Sequence, residues 1–165
     1  MQTRAIQLRH GPLVFVTPLR DGDVATVRSV FARLGDASRR ARFNGAKPCL
    51  SDAELAELAT VDVRHHVLVA HVPGDPEPAA VASLVRTGGT GAEIAFAVVD
   101  RYQHRGIGSA LARELIADAR AAGVTEISAL TAADNQAALA LIRRCAKVRR
   151  VAFEGPELSI SAAIA

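Results

Sequence analysis

Apolar residues recur along this chain with two different periods, and the switches between them mark its elements. Leu13 to Val16 reads as a first strand. Val24, Val27, Phe31 and Leu34 then fall at helical spacing behind Asp21 and Asp23, until Gly35 ends the stripe. Ser51-Asp52-Ala53-Glu54 forms a capping box, and the helix it opens buries Leu55 and Leu58. His66 to Val72 and Ala79 to Arg86 read as strands around Pro73-Gly74-Asp75-Pro76, and Gly88-Gly89-Thr90-Gly91 turns the chain into a third strand carrying Glu93. Ile107, Leu111, Leu115 and Ile116 form the apolar face of a long helix that Gly123 stops. Val124 to Leu130 is a strand, a helix follows Asn135, and Val148 to Phe153 and Glu157 to Ile164 close the chain as strands. The predicted order is strand, two helices, three strands, helix, strand, helix, two strands, with no linker, repeat or low-complexity tract dividing it.

The segment Tyr102-Gln103-His104-Arg105-Gly106-Ile107-Gly108-Ser109 lies between the apolar strand Ile94 to Val99 and the long helix. A loop that opens a helix presents unpaired N–H groups and the positive end of the helix dipole, and both attract phosphate oxygens. Gly106 and Gly108 let that backbone come close. The spacing excludes a dinucleotide fingerprint: Leu111 stands where the third glycine belongs, Asp100 to Arg105 intervene before the first, and Glu126, the nearest acid at the right distance, falls inside a strand. No Gly-Lys-Ser/Thr closes the loop, so it is not a P-loop.

What fits is Gln/Arg-x-x-Gly-x-Gly/Ala, matched by Gln103-His104-Arg105-Gly106-Ile107-Gly108. With its flanking strand and helix, and with Asp134-Asn135-Gln136 after the next strand, the pattern resembles the acetyl-CoA-binding motif of the GNAT superfamily of acetyltransferases. The resemblance runs from about Leu13 to the last strand. Ser38-Arg39-Arg40-Ala41-Arg42-Phe43, Leu50 to Leu55, Val61-Asp62 and Ala92-Glu93-Ile94-Ala95-Phe96 look like the bacterial protein lysine acetyltransferases. This implies the GNAT fold, α/β (α+β), with a mixed central sheet of about seven strands and about four helices, as one domain over residues 1–165.

It also implies a chemistry with acetyl-CoA as co-substrate and no metal. A lysine amine has a pKa of about 10.4, so a base must take its proton before it attacks a thioester. In the lysine acetyltransferases that base is a glutamate in the segment matching Ala92 to Phe96, which here is Glu93. Burial by the apolar run after it would raise its pKa toward neutrality, and the alternative is an ordinary exposed strand-start glutamate. Val98 and Val99 are expected to offer main-chain hydrogen bonds to the pantetheine arm. Gln103, His104, Arg105, Gly106, Ile107, Gly108 and Ser109 are expected at the pyrophosphate, with a solvated arginine as the alternative for Arg105. Asn135 either reaches the coenzyme or caps its helix. Two positions depart from the family. His104 stands where the lysine acetyltransferases usually carry glycine, and Ile142 occupies the place of the tyrosine that many members use to reprotonate the leaving thiolate. The only tyrosine is Tyr102.

Composition narrows the setting. A chain of 165 residues that is 50% hydrophobic builds a real core. No leader or membrane-spanning run is visible and the two cysteines, Cys49 and Cys145, have no disulfide or metal spacing, so a cytoplasmic location with reduced thiols is expected. The net charge of +3 and the arginines at 39, 40 and 42 come without a stacking platform, which argues against nucleic acid. His65, His66 and His71 have no metal spacing. No membrane contact is expected, and the final strands leave a monomer or a homodimer open. Three functions fit: an acetyltransferase for protein lysines, for instance on an acyl-CoA synthetase; one for a small or N-terminal amine; and a non-catalytic acyl-CoA-binding module. A regulatory cyclic-nucleotide domain precedes the catalytic one in some relatives, and that mode of regulation is not expected in a chain of this length.

Overall fold

The computed structural model describes residues 2–43 and 47–164. The elements are β1 (Arg4–Gln7), β2 (Leu13–Pro18), α1 (Val24–Ala32), α2 (Asp36–Phe43), α3 (Asp52–Leu58), β3 (His65–His71), β4 (Ala80–Gly88), β5 (Gly91–Val98), a 3-10 turn (Asp100–Tyr102), α4 (Ile107–Ala121), β6 (Glu126–Ala132), α5 (Gln136–Cys145), β7 (Lys147–Glu154) and β8 (Glu157–Ala163). The strands form one sheet in the order β1-β2-β3-β4-β5-β6-β8-β7. It is mixed as expected, because the β5–α4–β6 crossover makes β5 and β6 parallel while every other neighbouring pair is antiparallel.

Two elements exceed the expected seven strands and four helices. β1 is four residues on the sheet edge, too short to show an alternation. α2 buries no residue fully, so its sequence has no apolar stripe to read. What it has is charge in the right places, with Asp36 in the first turn and Arg40 and Arg42 in the last, complementing the helix dipole. Polar ties hold it: Ser38 Oγ donates to Asp100 Oδ1 at 2.7 Å, and Ala41 O accepts from Thr131 Oγ1 at 2.9 Å.

The core lies between the sheet and the helices. α4 buries Ile107, Ala110, Leu111, Leu115, Ile116 and Ala119 on one face, the stripe read from the sequence. The capping box of α3 is present in full, with Ser51 and Glu54 satisfying each other's backbone N–H groups.

The feature that places the functional site is a fork in the sheet. β5 and β6 pair only over Gly91–Glu93 against Glu126–Ser128. Beyond Glu93, β5 continues along β4 to Val98, and β6 continues along β8 to Ala132, so the facing edges part. Val99 N–H donates to Ala79 O at 2.9 Å. The two-residue alternation of the antiparallel ladder then turns the C=O of Ile94 and the N–H and C=O groups of Phe96 and Val98 away from β4, into the fork, while the Ile94 N–H belongs to the last rung of the β5–β6 ladder, opposite Ser128.

The 3-10 turn after β5 is anchored by a charged hub. The Tyr102 hydroxyl donates to Asp75 Oδ2 at 2.7 Å, Arg33 Nη2 reaches the same oxygen at 2.8 Å, and Arg101 also pairs with it. These donors, Tyr102 first, hold the Asp75 carboxyl well below the usual carboxylate range. A carboxylate depressed on folding adds stability above its unfolded pKa of about 3.9 and loses it as pH falls through the folded value. Tyr102→Phe is therefore expected to cost about 1.5 kcal/mol at pH 7, as for a hydrogen bond to a charged group. In denaturant titrations from pH 7 down to pH 2, the gap to wild type should narrow below about pH 4. A gap that is flat or widens with acid would contradict the hub.

Candidate active site

The fork opens a cleft of about 560 Å³. Its walls are the free edge of β5 from Ile94 to Val98, residues 129–131 of β6, the start of α4, and Ala138, Leu141 and Ile142 of α5. At its phosphate end Gly106 is the N-cap of α4, with φ +86° and no side chain capping the helix. The first-turn N–H groups of a 15-residue helix thus face the cleft without a protein partner from the cap. A non-glycine residue also takes a left-handed conformation here: His104 has φ +59°. That conformation explains why glycine suits position 104, and histidine bears it at a cost of about 1 kcal/mol. The loop rests on the β1–β2 turn, where a Cβ on Gly11 would lie 2.5 Å from Arg105 O.

The cleft gathers Val98, Gln103, His104, Gly106, Gly108, Ser109 and Asn135 among the residues singled out from the sequence. Val99 is a correction. Its N–H is held by Ala79 O, its C=O accepts from Tyr102 N at 2.8 Å, and its side chain is buried, so it has nothing to offer a ligand. Ile107 buries its side chain in the core and meets the site only through backbone. Arg105 is exposed at the rim, its guanidinium 5.9 Å from the Tyr102 ring centroid. Gln103 does a different job from the one expected, since its Nε2 donates to Val98 O at 3.0 Å and to Ser38 Oγ at 2.8 Å. It ties the edge of β5 to α2. Asn135 is the cap of α5: Oδ1 accepts from Ala138 N at 3.1 Å and Nδ2 donates to Thr131 Oγ1 at 2.7 Å.

Glu93 lines a second cleft of about 300 Å³, together with Glu54 and Glu57 of α3, His65 of β3 and apolar Leu50 and Leu58. The carboxylate is exposed, so the burial expected for it is not there. Glu54 is taken up by the Lys47 ammonium, which with Ser51 holds its carboxyl down at about 2. The two clefts share three residues, Arg42, Ile94 and Ala95. Whatever enters the first cleft and whatever enters the second meet there.

The Tyr102 hydroxyl is committed to Asp75, and Ile142, 3% exposed, presents only hydrocarbon. Sequence reasoning missed Ser38, Arg42 and Thr131 as parts of this site. Ser38 and Arg42 sit on the unforeseen α2, and Thr131 lies one residue past the strand read over Val124 to Leu130. The buried Thr131, the one polar residue in the core among the described residues, carried the signal in its hydroxyl, which needs a partner.

An uncapped helix start, an open strand edge for an amide-bearing arm and an acid beyond the junction are the parts an acyl-CoA-dependent transferase needs. The model of the acetyltransferase (GNAT) family matches residues 32–146. The chain belongs to the GNAT acetyltransferase family. It is 34% identical over 147 residues to acetyltransferase Pat of Mycolicibacterium smegmatis, covering 87% of this chain and 44% of that protein. The chain thus spans less than half the length of that relative. It superposes on the GNAT domain of S. lividans PAT with a TM-score of 0.86 at 26% identity, covering 98% of this chain and 96% of the other. A Salmonella typhimurium protein solved with its cofactor acetyl-CoA shares the fold at a TM-score of 0.65 and 19% identity, over 91% of each chain. Acetyl-CoA is the co-substrate of the family, and the residues lining the first cleft fit it.

The two glycines of the loop differ in what they tolerate. A Cβ on Gly108 would sit 3.6 Å from Val98 Cγ2 and 3.9 Å from Leu141 Cδ2, an ordinary contact, whereas Gly106 needs φ +86°. Gly108→Ala should leave stability and acetyl-CoA affinity near wild type. Gly106→Ala should lose about 1 kcal/mol and bind acetyl-CoA several-fold more weakly, as read by calorimetry. Equal effects of the two would contradict this geometry.

Proposed function

We propose that the protein transfers the acetyl group of acetyl-CoA to lysine side chains of other proteins. The observation that carries this is the meeting of the two clefts at Ile94–Ala95, with an acid on the side away from the coenzyme. The first-turn N–H groups of α4 hold the pyrophosphate, with Arg105 at the rim. The Ile94 carbonyl and the outward amides of Phe96 and Val98 bind the pantetheine arm as a strand would be bound, and a donor of that edge polarises the thioester carbonyl as its oxygen gains charge.

The acceptor amine comes through the second cleft. Glu93 takes its proton, directly or through one water, before nitrogen attacks the carbonyl carbon. Exposure of Glu93 suits an acceptor that itself closes the cleft, because a docking protein surface supplies the exclusion of water that the empty enzyme lacks. The acidic lining, Glu57 beside Glu93, favours a cationic side chain over a neutral amine. Resemblance of the chain to Pat acetyltransferases points the same way. A cytoplasmic setting follows from this reading, since that is where acetyl-CoA and acyl-CoA synthetases meet.

Incubation with acetyl-CoA and an acyl-CoA synthetase, beside a panel of small amines, tests it by protein mass and CoA release. The expected result is an acetylated synthetase lysine, with kcat reduced by about 10²–10⁴ in Glu93→Gln at unchanged acetyl-CoA affinity. CoA release with small amines alone would overturn the acceptor. An unaltered kcat in Glu93→Gln would overturn its role as base.

A further inference from the structure

We propose that Arg42 is a catalytic residue whose guanidinium carries the negative charge of the coenzyme thiolate as the carbon–sulfur bond breaks. The proposal rests on the acetyltransferase reading and adds the fate of the leaving group, which nothing in that reading supplies.

Among the described residues that line it, the cleft has no acid at the reaction end. Ile142 is hydrocarbon, and the Tyr102 hydroxyl is spent on Asp75. Ser38 Oγ donates to Asp100 and Thr131 Oγ1 donates to Ala41 O, so neither hydroxyl has a proton to give. His104 belongs to the phosphate loop at the far end of β5. A thiol has a pKa of about 8.5, so a thiolate can leave without a proton if its charge is met.

Arg42 is placed to meet it. Of the residues shared by the two clefts, it alone is charged; Ile94 and Ala95 are the others. Its backbone is pinned by the bond from Thr131 to Ala41 O one residue earlier and by Ser38 one turn earlier. Its guanidinium carbon lies 5.2 Å from the Phe43 ring centroid, and that ring packs on Phe31 at 5.2 Å. The side chain is thereby held rather than free to sweep through solvent.

The charges that face this position are Glu93 on β5, Glu54 and Glu57 on α3 and His65 on β3 from the second cleft, His104 in the loop and Arg144 on α5 from the first, and Lys47, which pairs with Glu54 and lies 5.8 Å from the centroid of the same Phe43 ring. Among the described residues, no carboxylate makes an ion pair with Arg42. Burial pulls its pKa below the ordinary arginine value, with Glu93 opposing. A partly desolvated cation without a paired anion costs free energy at rest. A negative charge arriving within reach recovers it, which is the condition for stabilising a transition state rather than a ground state.

The step balances without a further reactant. Glu93 passes the ammonium proton to solvent, the neutral nitrogen forms its bond to the carbonyl carbon and gives its second proton to the freed Glu93, the carbon–sulfur pair departs on sulfur, and the thiolate against Arg42 takes a proton from solvent on release.

Ultraviolet titration of the CoA thiol in the complex tests this, with the coenzyme-free protein subtracted to remove its own cysteines. In wild type the bound thiol should titrate about one unit or more below its free value of about 8.5. Arg42→Gln should return it to the free value or above, and Arg42→Lys should lie between. Desulfo-CoA, which has no sulfur to ionise, should bind wild type and Arg42→Gln within two-fold of each other, while CoA at pH 9 should bind Arg42→Gln about ten-fold more weakly. The same bound-thiol pKa in wild type and Arg42→Gln overturns the proposal. So does an equal loss for CoA and desulfo-CoA, which marks a purely structural residue. A wild-type protein that binds neither overturns the coenzyme reading and this proposal with it.

Discussion

Everything in this molecule that bears on function depends on how soon β5 and β6 stop pairing. A parallel pair normally runs the length of its shorter strand, but here the ladder ends at Glu93 and Ser128, and each strand finishes its run on its other neighbour. The cost is a row of backbone groups on β5 with no strand to bond. The return is a built-in template for an extended ligand, with alternate amides already aimed and fixed by β4 behind them. Gln103 shows the need: its amide reaches back to Val98 O, meeting the carbonyl that a neighbouring strand would have taken.

The fork also explains why α2 matters although it buries no residue fully. A sheet that splits must be bridged, and α2 does so through hydrogen bonds at both walls, to Asp100 beyond β5 and to Thr131 on β6. Asn135 extends the same line from α5 through Thr131 to α2. Polar side chains hold the opening where hydrophobic packing would close it. One consequence is that a charged residue, Arg42, can stand at the junction on a helix tied to both walls.

The legible parts of the sequence were those whose cause is local. The apolar stripe of α4, the capping box at Ser51, the turn glycines and the Gly106–Gly108 loop each state their structure within a few residues, and each lies where expected. β1 and α2 were hidden because long-range contacts stabilise them. The exposure of Glu93 and the committed backbone of Val99 were hidden for a related reason: an apolar run announces a strand, but not which edge of it is already bonded. Asn135 was legible as either a coenzyme contact or a cap; it is the cap of α5, and it lines the cleft.

The alternation along β5 is the most direct place to test this account, by amide hydrogen exchange with and without acetyl-CoA. Ala95 and Ala97, which face β4, should be protected in both states. Phe96 and Val98 should exchange readily in the free protein and become protected on binding, along with the first turn of α4. Protection by acetyl-CoA that leaves Phe96 and Val98 unchanged would mean that the coenzyme does not lie along the open edge, and the account would fail at its centre.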